Sequence, residues 1–196
     1  MTGSLEEPNP GADEEPTPLS PYAAAKWATC GYGRMFRSQY GLDVRIVRPF
    51  MTYGPGQKEF KIVPSTILSL LHDRPAAIGS GSRLVDWIYV DDVIDGMLGI
   101  AAAEDPPRRT IDLGSGDGAT IGDVAREIAR QIGKEHLLHI GDGARGREMV
   151  RLADTSTARR YGFEPRVSLP DGLAATIIWF RQRKGSAANA HAVSAA

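Results

Sequence analysis

The feature that most constrains this chain is a helix that runs straight into a strand, with a glycine and proline turn at the strand's far end. Ser20 suits a helix N-cap and Pro21 the first helical position. Three alanines follow, the apolar spacing continues to Gln39, and Gly41 reads as the stop. Asp43 to Phe50 reads as a strand. Thr52-Tyr53-Gly54-Pro55-Gly56 is a turn cluster. Helix, strand and loop in that order are the grammar of a parallel α/β sheet, whose ligands sit at the carboxyl ends of the strands.

On the first helix Tyr22 and Lys26 are four residues apart and share one face. A free phenol titrates near pH ~10. An ammonium beside it favours the phenolate, which makes Tyr22 a candidate general acid/base. The same spacing also fits a surface tyrosine lying over a surface lysine.

A length of 196 residues allows one domain, or one domain and part of another. With 42% hydrophobic and 24% charged residues, the class is soluble and globular. A net charge of -1 argues against a nucleic-acid partner. The single cysteine, Cys30, excludes an internal disulfide and reads as a buried thiol. No apolar run approaches the ~18 residues of a membrane span, and the acidic, proline-rich start is no signal peptide, so the expected compartment is the cytoplasm. Residues 1–19 carry five acidic residues and four prolines and read as a loop.

Further along, Pro64 to Asp73 reads as a short amphipathic helix and Arg83 to Val90 as a strand. Asp91 and Asp92 open the next helix as caps suited to its dipole. Thr110 to Leu113 is a strand, followed by the loop Gly114-Ser115-Gly116-Asp117-Gly118-Ala119 and a helix capped by Thr120 with Asp123. That loop fits a dinucleotide fingerprint, the S-adenosylmethionine cradle of a methyltransferase, or a tight glycine turn. Two apolar runs, 137–140 and 149–153, flank a basic loop with Arg145 and Arg147. Asp154 caps a short helix, and a final amphipathic helix spans Leu169 to Lys184. Residues 185–196 lack a core-forming pattern and are expected to be disordered. None of His72, His136, His139 and His191 has metal-ligating company, so no metal site is expected.

Taken in order, several segments resemble the extended short-chain dehydrogenase/reductase family, specifically its NAD-dependent nucleotide-sugar epimerases and dehydratases. They are Pro18 to Lys26, Arg48 to Gln57, Asp86 to Val93, Ile111 to Gly116, Ala153 to Ser156 and Tyr161 to Pro165. The resemblance implies that Tyr22 moves a proton at a sugar hydroxyl and that Lys26 tunes it and holds the nicotinamide ribose. It implies that Pro49 and Phe50 lie against the nicotinamide. Met51, the loop Tyr53 to Gln57 and residues 83–88, Arg83 among them, would line the sugar-nucleotide site, and Arg145 or Arg147 would reach the diphosphate; the loop 114–119 would be a turn in the substrate-binding part and no phosphate cradle. The family usually has Asn where Met51 stands and often Arg where Val85 stands; Arg83, two residues earlier, shares that strand face.

The resemblance also implies a fold class: α/β, a truncated Rossmann-like, doubly wound parallel sheet with a small α/β substrate-binding lobe. Residues 20–110 would hold the later half of the Rossmann-like domain with interleaved lobe segments, and 111–184 mainly the lobe. The family's opening βαβαβ unit, roughly a hundred residues with its glycine cradle, has no counterpart here, nor has its catalytic Ser or Thr. NAD or NADP is therefore the expected cofactor, but this chain alone is expected not to bind it. The expected partners are a nucleotide-sugar substrate and a second copy or partner chain covering the Tyr22–Gln39 helix, with no nucleic acid and no membrane. Two other readings stay open: a non-catalytic remnant acting in binding or assembly, and an S-adenosylmethionine-dependent methyltransferase.

Overall fold

The first helix, α1 (Pro21–Tyr40), forms for the reasons its ends suggest. The Ser20 hydroxyl accepts from the Ala23 N–H at 3.1 Å. Gly41 adopts φ 66 and returns its N–H to the Arg37 carbonyl. The computed structural model describes residues 18, 20–104, 110–141 and 152–194, with the side chains of the last helix described to Arg183. The acidic start, Arg145 and Arg147 lie outside the described residues.

The predicted strand 43–50 is shorter than its pattern and divides at Phe50. Strand β1 (Ile46–Pro49) pairs in parallel with β5 (Thr110–Leu113). Residues 43–45 serve as an anchor instead: the Arg45 guanidinium donates to Asp43 Oδ2 at 2.6 Å and to the Ile100 carbonyl. Beyond Phe50 the chain enters a second sheet, where β2 (Met51–Tyr53) runs parallel to β4 (Leu84–Tyr89). On its other side β4 takes an antiparallel strand, β6 (Gly118–Thr120). The third sheet pairs β3 (Ala76–Ile78) in parallel with β7 (Leu138–Ile140).

Helices α2 (Ile62–Leu71), α4 (Ile121–Ile132) and α6 (Leu169–Ser194) cover one face of β4. Alternation along β4 turns Val85, Trp87 and Tyr89 into the core they share with Ile67, Leu70, Ile128, Leu173 and Phe180. Ile88 points the other way, into a second core. There α3 (Val90–Ala102) and α5 (Thr155–Arg159) supply Val93, Ile100 and Ala158 against Ile111, Leu113 and Phe163. A complete capping box starts α4: Thr120 Oγ1 accepts from the Asp123 N–H at 3.0 Å, and Asp123 Oδ2 accepts from the Thr120 N–H at 3.2 Å.

Helix α6 corrects one expectation. It continues over residues 185–194, which were expected to be disordered. Four alanines, Ala187, Ala188, Ala190 and Ala192, favour helix intrinsically, even where no apolar stripe marks it.

Candidate active site

Tyr22 lies in the first turn of α1 with 56% of its surface exposed. The Lys26 Nζ sits 5.7 Å from the centre of its ring. The structure thus brings the two together on one solvent-facing side, with the ammonium over the ring face. Only Ala23 of α1 is buried, so this face is open.

Pro49 and Phe50 follow at the carboxyl end of β1. Pro49 is exposed and Phe50 half-buried. The Phe50 N–H donates to the Leu113 carbonyl at 2.8 Å, which joins the carboxyl ends of β1 and β5. Met51 is half-buried and packs on the first core. Gln57 closes the loop behind it: its Nε2 donates to the Thr52 carbonyl at 2.9 Å and its N–H to the Gly54 carbonyl. Its Oε1 is buried and accepts from no described group. Arg83 lies just before β4, at the amino end of that strand, whereas Pro49 and Phe50 follow a carboxyl end.

Tyr53 is corrected from a lining residue to a core residue. It is 2% exposed, packs edge-on against Trp87 and Tyr89, and donates to the Leu169 carbonyl at 3.3 Å. Burial first, then the neighbouring Tyr89, Asp92 and Asp171, pushes its phenol far above the usual 10.0. Helix α6 comes this close because residue 172 is glycine. A Cβ there would strike the Tyr53 hydroxyl and lie 2.9 Å from Tyr89 Cδ2.

The glycine-rich loop takes the tight-turn reading and is no phosphate cradle. It joins β5 to a third strand, not to a helix, and its donors are already engaged. Asp86, 1% exposed, accepts from the N–H groups of Ser115 (2.7 Å), Gly116 (3.1 Å) and Ala153 (2.9 Å) and from the Ser115 hydroxyl (2.8 Å). No room remains at Gly114, where a Cβ would lie 2.6 Å from Asp86 Oδ2. Amides spent on a carboxylate of the same chain cannot cradle a cofactor, so neither the dinucleotide nor the methyltransferase reading of this loop holds. The resemblance sets Asp86 among the residues 83–88 that line the substrate site; the structure buries it as the anchor of this loop instead.

Asp92 corrects the capping reading. It is 4% exposed and accepts from the Arg166 and Val167 N–H groups at 3.0 and 3.1 Å, so it anchors the approach to α6. α3 carries no side-chain cap. Arg48 and Asp112, partners in the β1–β5 register, form a 2.6 Å ion pair with side chains only 19% and 8% exposed. Cys30 is half-buried rather than buried. Among the described residues no cluster of His, Cys, Asp and Glu could hold a metal, and no helix is long and apolar enough to cross a membrane. A surface groove of ≈ 640 Å³ lies against α4 and β7, lined by Arg126, Arg130, Leu138 and Ile140 among others, and by none of the candidate residues.

Similarity to known proteins follows the same segments. The family model for the NAD dependent epimerase/dehydratase family matches residues 1–114. A UDP-glucuronate 4-epimerase of Thermodesulfobacterium geofontis is 31% identical over 169 residues, 85% of this chain and 52% of that protein. A dTDP-glucose 4,6-dehydratase of Streptomyces griseus is 29% identical over 93% of this chain and 56% of its own length. The crystal structure of UDP-glucuronic acid 4-epimerase from Bacillus cereus, with UDP-glucuronic acid and NAD, superposes with a TM-score of 0.77 at 26% identity, over 93% of this chain and 60% of that one. UDP-glucose 4-epimerase from Thermotoga maritima, with UDP-glucose, gives 0.77 at 29%, over 86% and 55%. The chain spans about half the length of the curated relatives it matches. The likeness carries the Rossmann-like α/β architecture with it, in the portion that this chain spans. Matched through the Tyr22 helix, the Phe50 loop and β4 up to the glycine loop that Asp86 closes, the chain belongs to the NAD-dependent epimerase/dehydratase family.

Proposed function

We propose that this chain supplies the acid/base half of an NAD(P)-dependent reaction on a nucleotide-activated sugar, of the epimerase or dehydratase type. The observation that carries the reading is Tyr22 with Lys26 one helical turn away on an open face. The Tyr22 phenolic oxygen takes the proton of a sugar hydroxyl when deprotonated and returns it when protonated. The Lys26 ammonium stands over the Tyr22 ring, one turn along the same face, and offers a donor to the nicotinamide ribose. Pro49, Phe50 and Met51 offer an apolar wall against which a flat ring and a sugar can be oriented. Gln57 braces that wall from behind through the Thr52 carbonyl, and Arg83, with Arg145 and Arg147, supplies cations for a diphosphate.

A bound NAD(P) would supply the hydride acceptor and donor for the sugar carbon. Lys26, with three N–H donors, and the apolar Phe50 have the chemistry that its nicotinamide end would need. The described residues do not fit its diphosphate, because the glycine-rich loop has given its amides to Asp86. Complete chemistry therefore needs a dinucleotide-binding unit besides the described residues. A cytoplasmic location belongs to the same proposal.

The test joins such a unit to this chain and follows turnover of UDP-glucuronic acid and dTDP-glucose. Turnover that Tyr22→Phe reduces ~10²–10⁴-fold supports the reading. Turnover indifferent to Tyr22 overturns it. The open face of α1 favours one second reading, a non-catalytic assembly role. It predicts that the joined protein binds a partner chain but turns over neither sugar.

A further inference from the structure

We draw no further inference here: the strongest candidate, the surface groove between α4 and β7 lined by Leu138 and Ile140, carries nothing, because its arginines are already paired on α4 itself, Arg126 with Asp123 at 3.0 Å and Arg130 with Glu127 at 2.7 Å, and nothing in the structure shows what covers it.

Discussion

The Lys26 ammonium stands 5.7 Å from the centre of the Tyr22 ring, one turn along the same open helix face. Neither residue supports the core, so replacing them separates chemistry from stability. Tyr22→Phe and Lys26→Ala are expected to change the urea midpoint by no more than about 0.5 kcal/mol in free energy. In a complex completed by a dinucleotide-binding unit, Tyr22→Phe abolishes most turnover.

The chain alone should give no heat with NAD in calorimetry. Its glycine-rich loop offers no free amides, because Asp86 accepts from Ser115 and Gly116. A micromolar dissociation constant would show that a separate cradle is dispensable.

Asp86→Ala strands three amides, two half-buried at Ser115 and Gly116 and one buried at Ala153. Each unsatisfied donor costs ~1–3 kcal/mol, so a loss of about 3 kcal/mol or more is expected by urea denaturation. Asp86→Asn, which keeps one acceptor oxygen, should lose less.

Gly172→Ala forces a methyl group into Tyr53 and Tyr89. The expected cost is about 1–3 kcal/mol. Tyr53→Phe removes the hydroxyl that is struck, so the double variant should recover part of that loss. Strict additivity in the cycle would mean that the two sites do not touch.

Glu127 provides the pH test. Its carboxyl is held down to about 2 from the usual 4.5, first by the hydrogen bond from Arg130 and then by that from Gln131. A lowered folded value means that its contribution is present above about pH 4.5 and is lost as the pH falls toward 2. The pair lies on the surface, so the amount is small, about 0.5 kcal/mol. Glu127→Gln should flatten the acid side of the stability curve within that window and leave neutral pH nearly unchanged.

Elements with local signals were readable in the sequence. Ser20, Pro21 and Gly41 bound α1, and Thr120 with Asp123 starts α4, because each cap is made by residues within one turn. Long-range partners were not readable. Asp92 looks like a cap until residues 166 and 167 arrive to claim it. Tyr53 looks like a loop residue until Gly172 lets α6 close over it. Phe50 divides one apolar run between two sheets because its N–H reaches across to Leu113, a neighbour that no window around Phe50 contains. Within the candidate site, the Tyr22–Lys26 spacing was legible because one helix holds both.

Short glycine signatures are searched for because bare amides attract anions. In this polypeptide the anion is built in, and it comes from a position 29 residues upstream. A sibling sequence that kept the glycines but carried a neutral side chain at position 86 would present an empty ring of donors, and there the same letters would regain their meaning as a phosphate seat. What such a signature says is decided on another strand.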